Sequence, residues 1–407
     1  MRRGLARLLA YWRAERRTIV QGFVALLIAG FGSLVAGIAL GSITGTLEAL
    51  PGLMVMVPAA IGMRGNIFGA LASRLGTSIH AGLYQPTRER EGILYQNIYA
   101  VTVLTLLISL VLGVLAETFS EVFGVESISM LDFVVISVLG GVLSSVVVGA
   151  FTVVLSRVAF RRGWDLDSVA APLVTAAGDM VTLPTLFLAT YLVGIRWVTP
   201  SIATIAVVVT IVFTIRSLMT DLPLTRRVLR ESIPVLAIAG GVDIIAGLFV
   251  EARLDRFLVF PALLVLIPPF LENAGALGGM LSSRLASKLH LGALSPRGRP
   301  EAAAVLDASI IALFAVVTFL LTGIAADLAA ALVGLASPGP LKVIGVSMLA
   351  GAIATAAAIV VAYYAAIATY RLGMDPDNHG IPIITSSMDF IGVIALIIGL
   401  LAVGLGS

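Results

Sequence analysis

The chain has 407 residues, of which 59% are hydrophobic and 12% charged, and its formal net charge is +3. Soluble globular chains carry about 25% charged residues, so this composition excludes a soluble enzyme and predicts a polytopic membrane protein. The bilayer, and no nucleic acid, accounts for the basic residues. The sequence contains no cysteine, which excludes disulfides and thiolate chemistry.

Eleven apolar runs predict an all-α protein with eleven transmembrane helices, because a spanning helix needs about 20 mostly apolar residues. Two of the runs, the second and the eighth, are short, contain prolines and lead into glycine-rich stretches. Short segments that proline and glycine interrupt at matching places in two repeats point to a binding site. Unwound backbone at membrane depth is tolerated only where it is buried in protein or lines a cavity. The runs are 18–42, 48–63, 93–116, 131–158, 169–194, 199–217, 232–250, 257–272, 303–334, 341–369 and 381–404.

Basic residues fall on alternate sides of these runs. The N-terminal segment before the first run carries six arginines, and arginine and lysine recur in every second loop, whereas the loop with Glu117, Glu121 and Glu126 is acidic. The loop with Arg253 and Arg256 is the exception. The positive-inside rule predicts a multi-pass cell-membrane protein with a cytoplasmic N-terminus and an external C-terminus.

The sequence repeats itself at an offset of 210 residues. Residues 58–86 and 268–296 are identical at ten of 29 positions without a gap, and residues 165–183 and 375–393 align at the same offset. Two blocks in one register indicate an internal duplication.

Eleven spans divide into five, one and five. We expect a first repeat at 1–198, a linking transmembrane helix at 199–225 and a second repeat at 226–407. The linking helix returns the chain to its starting side, so the repeats are predicted to be parallel, related by a pseudo-two-fold axis along the membrane normal. One chain then imitates a symmetric dimer, and we expect a monomer.

Two aspartates occupy equivalent positions in the middle of spans, Asp179 and Asp389. An ionisable residue inside a bilayer span is a functional-site hypothesis by default. Two such carboxylates near a pseudo-axis can bind a cation or share a proton; the structural alternative is that each pairs with a buried polar group. Thr175 and Thr385 precede them by one helical turn and share their helix face.

Other polar residues extend this candidate site. They carry oxygen ligands, which suit hard ions such as Mg²⁺ or Ca²⁺ better than soft metals. For Asp243 and Asp307, a structural hydrogen bond between helices is an equal alternative. The set is Asn66, Glu272, Asn273, Asp243 and Asp307.

Four loop aspartates lie just before the fifth span of each repeat. Helix N-capping and complementarity to the helix dipole explain them, and an ion-attracting mouth is the alternative. They are Asp165, Asp167, Asp375 and Asp377.

The pattern P-x-x-x-G-x-x-G-N-x-x-x-x-x-x-S-R-L from Pro58 to Leu75 resembles the membrane domain of MgtE magnesium channels, and more closely solute carrier family 41, which has two such domains. The repeated pattern around Asp179 and Asp389 is similar to the fifth helix of that family. The resemblance implies that these aspartates match the pore aspartate that holds a hydrated Mg²⁺, with Asn66 near the pore. It departs at Ala276, which replaces Asn66 in the second repeat, and in the cytosolic gating domains of MgtE, which this sequence does not show.

The resulting hypothesis is a transporter, not an enzyme, that carries divalent cations, above all Mg²⁺, through a pore between the repeats, with or without Na⁺ or H⁺ coupling. A proton-coupled transporter of another small solute would use the same aspartates. An intramembrane aspartyl protease also needs two aspartates, but neither Asp179 nor Asp389 follows a Gly-x-Gly sequence. A proton gradient separates the first two hypotheses: the activity of a carboxylate proton carrier should follow the gradient, and that of a channel should not.

Overall fold

The computed structural model describes residues 2–84, 87, 89–162, 166–373 and 380–405. Within these ranges the chain forms fourteen α-helices and no strand. The helices are α1 (Arg2–Ala14), α2 (Arg16–Ser42), α3 (Thr44–Ala49), α4 (Leu53–His80), α5 (Ile93–Phe123), α6 (Met130–Arg162), α7 (Leu166–Thr190), α8 (Val198–Leu218), α9 (Pro223–Glu251), α10 (Leu254–Val259), α11 (Ala262–His290), α12 (Ala302–Leu332), α13 (Pro340–Leu372) and α14 (Ile381–Ala402).

Eleven of these helices are long and apolar enough to cross a membrane, which confirms the predicted all-α polytopic class and the number of spans. They are α2, α4 to α9 and α11 to α14. The remaining three, α1, α3 and α10, are shorter, and α3 and α10 occupy equivalent places before the glycine-rich helices α4 and α11.

The predicted interruption of the second and eighth spans is wrong. Helix α4 runs through Pro58 and the glycine-rich block to His80, and α11 runs through Pro268 and Pro269 to His290. A proline removes one N–H from the helix ladder, whereas unwound backbone in lipid leaves several polar groups without partners. A continuous helix therefore costs less than a broken one.

The helices form two compact units. Unit I comprises residues 35–259, and unit II comprises residues 1–34 together with 260–407. Each unit joins the last four spans of one sequence repeat to the first span of the other: α9 packs on α4 and α5 in unit I, and residues 16–34 of α2 belong to unit II. The division into repeats at 1–198 and 226–407, with a linking helix at 199–225, is inferred from the sequence and stays a prediction.

Unit I is organised around α4, which packs against α5, α6, α7 and α9. A Cβ atom on Gly247 of α9 would lie 2.0 Å from the carbonyl oxygen of Val55, so the two helices meet backbone to backbone, as small residues allow in membranes. The carboxylate of Glu251 accepts hydrogen bonds from the N–H groups of Gly52 and Met54, both at 3.0 Å. It thereby caps the start of α4.

Unit II repeats part of this packing around α11, which packs against α12, α13 and α14 as α4 packs against α5, α6 and α7. Gly30 of α2 faces Asn273 of α11, whereas the equivalent Gly240 of α9 faces Leu112 of α5. One interhelical hydrogen bond is shared: Ser137 donates to the carbonyl oxygen of Ser109, and Ser347 donates to that of Phe319, each at 2.6 Å. The duplication therefore extends to this hydrogen bond and to the packing of the last four spans of each repeat.

Candidate functional site

In unit I, Asp179 lies on α7 with 1% of its surface exposed. Thr175, one turn earlier, packs against the glycine-rich part of α4: its Cγ2 atom would be 3.5 Å from a Cβ on Gly65. Gly65 thus lets α7 approach α4 closely. This contact sets Asp179 against the segment of α4 that carries Asn66.

Two more of the predicted ligands belong to unit I. Asn66 on α4 is 9% exposed and Asp243 on α9 is fully buried. Helices α7 and α9 both pack on α4, so Thr175, Asp179 and Asp243 lie on helices that contact the helix of Asn66. Carboxylate, amide and hydroxyl oxygens are ligands of the kind that hard cations prefer.

Unit II contains the equivalent pair on α14. Thr385 packs on Gly275 of α11 as Thr175 packs on Gly65, with its Cγ2 atom 3.6 Å from a Cβ on that glycine. Asp389 is more exposed than Asp179 and is only half-buried. The local geometry of the two aspartates is thus repeated, but their environments differ.

Glu272 and Asn273 lie on α11 of unit II. Asn273 is buried, and its amide donates to the carbonyl oxygen of Pro269 at 2.7 Å and to the hydroxyl of Thr322 on α12 at 3.0 Å. These bonds tie α11 to α12 and give Asn273 a structural task. Glu272 is half-buried and occupies the position that Gly62 has in the first repeat.

Asp307 of α12 is the centre of an ion-pair cluster. Its Oδ1 atom accepts from Arg284 Nη2 at 2.7 Å and from the Tyr11 hydroxyl at 2.7 Å, and its Oδ2 atom accepts from Lys288 Nζ at 2.5 Å. Two cations and a phenol already satisfy this buried carboxylate. We therefore leave Asp307 out of the ion path proposed below.

The N-terminal segment completes that cluster. Arg284 Nη2 also lies 3.1 Å from the Glu15 carboxylate, and Trp12 of α1 donates to the Ser309 hydroxyl at 3.0 Å. Burial, and then the hydrogen bond to Asp307, raise the pKa of Tyr11 above its ordinary value. The phenol therefore keeps its proton at neutral pH and remains a donor.

Sequence reasoning missed one charged residue in a span, Arg64 of α4. Its guanidinium is buried and reaches the Ser145 hydroxyl at 2.7 Å and the Ser109 hydroxyl at 2.8 Å. The sequence does contain a signal: Arg64 is a basic residue inside the repeated block, and the second copy has Ala274 at the equivalent position.

The described residues contain no group of three or more His, Asp or Glu side chains placed to hold one metal ion. The role of Asp179, Asn66, Thr175 and Asp243 as ion ligands therefore stays a prediction. Asp165, Asp375 and Asp377, predicted as caps or as a mouth, lie outside the described residues.

Comparison with known families shows the protein family of this chain. A family model described as "Divalent cation transporter", MgtE, matches residues 57–189 and 267–399, together more than half of the chain. The chain belongs to the MgtE family. The two matched segments are offset by 210 residues and each contains one of the repeated aspartates, Asp179 or Asp389. This confirms two tandem MgtE domains.

Curated relatives point the same way. Solute carrier family 41 member 2 of Xenopus laevis is 26% identical over 411 residues, covering 93% of this chain and 71% of the relative. Solute carrier family 41 member 3 of Rattus norvegicus is 28% identical over 179 residues, covering 42% of this chain and 38% of the relative. Human solute carrier family 41 member 2 is 26% identical over 286 residues, covering 67% of this chain and 48% of the relative. No solved structure matches this chain.

Proposed function

We propose that this MgtE-family protein carries Mg²⁺ across the membrane, with Asp179 and Asp389 as the carboxylates that hold the ion on its way. The observation that carries the proposal is the match of both repeats to a divalent cation transporter family in one register that includes both aspartates. A carboxylate inside a span is costly and is retained for a function.

The surroundings of Asp179 support the same role. It is 1% exposed, and its helix packs on the part of α4 that carries Asn66 and on which α9 with Asp243 also packs. Oxygen donors of this kind favour Mg²⁺ and Ca²⁺ over soft metals. We propose Asn66 and Thr175 as outer contacts of a hydrated ion, with Thr385 in the equivalent place and Glu272 and Asp243 as further carboxylates along the path.

The test is ²⁵Mg²⁺ or dye-reported Mg²⁺ uptake into proteoliposomes. Asp179→Asn and Asp389→Asn each remove one charge without changing side-chain size. We expect each to lower flux at subsaturating Mg²⁺ by about tenfold or more, because charge-assisted contacts are roughly twice as strong as neutral ones and ion binding depends on them. Asp255→Asn is the matched control, since Asp255 is exposed at the start of α10.

Three outcomes are informative. Loss of flux in both aspartate variants, with folding and the control intact, supports the proposal. Full flux in both variants would move the ion path away from them. No Mg²⁺ flux in the wild type, with or without Na⁺ and H⁺ gradients, would overturn the function itself and favour the proton-coupled solute alternative.

The same preparation tests two further predictions from the sequence. Coupling is measured by imposing a Na⁺ or H⁺ gradient in the absence of a Mg²⁺ gradient. The oligomeric state, proposed to be a monomer, is measured by light scattering in detergent. The orientation with a cytoplasmic N-terminus in the cell membrane stays a prediction from the basic loops.

A further inference from the structure

Arg64 is a fully buried arginine in the middle of a membrane span. It lies on α4 between the proline and the glycines of the repeated block, and it is 2% exposed. Its Nη1 atom lies 2.7 Å from the Ser145 hydroxyl and 3.3 Å from the Gly141 carbonyl oxygen, both on α6. Its Nη2 atom lies 2.8 Å from the Ser109 hydroxyl on α5. The guanidinium is thus wedged between two neighbouring helices.

Every group that binds this guanidinium is neutral. Ser109, Ser145, the Gly141 carbonyl and, at 3.5 Å, Thr105 are its partners, and no carboxylate contacts it among the residues that the structure describes. An arginine side chain stays protonated in proteins. Unit I therefore carries a permanent positive charge inside the membrane that is solvated by dipoles and is not cancelled by an ion pair.

The second repeat shows that the fold does not need this charge. The positions equivalent to Arg64, Thr105 and Ser109 are Ala274, Ala315 and Phe319. Phe319 fills the space, with ring atoms 2.4 Å from a Cβ on Gly351 and its ring centroid 4.9 Å from that of Phe270. The first repeat therefore fills this space with a polar cage, made of Arg64 with Thr105, Ser109 and Ser145. The second repeat fills it with the aromatic pair Phe270 and Phe319.

Arg64 also shares a helix interface with the candidate ion site. Its Cβ atom would lie 3.5 Å from a Cβ on Gly178, the residue next to Asp179, and Asn66 follows it two residues along α4. A charge one helix diameter away, ~10 Å, acts on a divalent ion with twice the force it exerts on a monovalent one. In the weakly screened interior this changes ion affinity by about tenfold or more.

We propose that Arg64 is a fixed positive charge that lowers the affinity of unit I for the divalent cation, so that the ion bound at Asp179 is released faster than one bound at Asp389. The inference rests on the proposed function, because it assigns a task relative to that ion. It makes the two aspartates electrostatically unequal although their sequence contexts are equivalent. Arg64 sets ion affinity and does not itself touch the ion.

The test compares neutral and charged variants of Arg64 that keep either the packing or a hydrogen-bond donor at this position. The triple variant Arg64→Ala, Thr105→Ala, Ser109→Phe copies the packing of the second repeat, and Arg64→Gln is a second neutral variant that keeps a donor for the cage. We expect both to lower the KM for Mg²⁺ uptake and the Kd measured by calorimetry, by about tenfold, and to lower the maximal rate because release slows. Arg64→Lys keeps the charge and is expected to have a higher KM than either neutral variant.

A purely structural role predicts something else. Loss of a structural residue lowers the amount of folded transporter and leaves KM unchanged or raises it. A neutral variant that folds and has the wild-type KM or a higher one would overturn the inference, and so would a failure of both neutral variants to fold. If the wild type transports Mg²⁺, these results decide only the role of Arg64. If the wild type shows no Mg²⁺ flux, the proposed function is overturned together with the inference.

Discussion

The start of the third span of each repeat offers a direct comparison between equivalent residues. In the first repeat, Arg74 Nε lies 2.8 Å from the amide oxygen of Asn97; in the second, Arg284 Nε lies 3.0 Å from a carboxylate oxygen of Asp307. The geometry of the bond is the same, but one acceptor is neutral and the other is charged. The duplicated backbone therefore fixes where the two helices touch and leaves the charge free to change.

The charged version has acquired further partners. Lys288 stands where the first repeat has Ser78, and it binds Asp307 at 2.5 Å. Tyr11 and Glu15, from the N-terminal segment, bind Asp307 and Arg284. A buried carboxylate is stable only when several donors replace its lost water. The comparison favours a structural role for Asp307, as an anchor of the N-terminal segment in unit II.

Removing that carboxylate should have the largest effect. Asp307→Asn leaves Lys288 and Arg284 with Glu15 as their one remaining anion in the cluster. We expect the free energy of unfolding to fall by about 3 kcal/mol, as for other broken buried ion pairs. Equilibrium unfolding in mixed detergent micelles measures this.

The matched variant is Asp307→Asn with Lys288→Ser, which copies the first repeat. We expect it to recover most of the lost stability, since the excess positive charge is gone, and to transport Mg²⁺. If it folds like the wild type but carries no ion, Asp307 belongs to the transport path and our assignment is wrong.

The reverse exchange should have a smaller effect. Asn97→Asp places a carboxylate beside Arg74 alone, and it removes the bond that the Asn97 amide donates to the Ile93 carbonyl at 3.0 Å. One cation does not offset the desolvation of a buried carboxylate, so we expect a loss of about 2 kcal/mol. Adding Ser78→Lys should restore part of it. A gain in stability from Asn97→Asp alone would show that a single arginine suffices.

The smallest effect is expected from Tyr11→Phe. The change removes one hydroxyl that donates to Asp307 at 2.7 Å and accepts from Lys288 at 3.2 Å. A single hydrogen bond of this kind contributes about 1 kcal/mol. Proteolysis at the N-terminal segment, which should become faster, is the sensitive measurement. An unchanged cleavage rate would mean that Trp12 and Glu15 hold the segment without the phenol.

The elements that hydropathy alone determines could be predicted from the sequence. Eleven spans follow because lipid forces every apolar run of sufficient length into a helix, and the duplication is visible in the residues themselves. The prolines make the sequence misleading for α4 and α11: Pro58, Pro268 and Pro269 predict an interruption, although each removes only one hydrogen bond from a long helix.

What the sequence could not reveal is which copy of each helix packs with which. The repeat makes α2 and α9 equivalent, so sequence similarity cannot tell whether Gly247 meets Val55 or its counterpart in the other repeat. The partners of Asp307 were hidden for a similar reason, since Tyr11 is 296 residues away along the chain. Arg64 was hidden because its span is apolar enough to be a transmembrane helix in spite of this charge.

The composition of unit II has a consequence for how the protein is made. Residues 1–34 are translated before the rest of their unit, which begins at Phe260. At 5–20 residues per second, roughly 10–50 s pass before those partners emerge. The first span must therefore wait in the membrane with its packing surface covered by lipid or by an insertion factor, and a chain that stops after the first repeat leaves it without a unit to join.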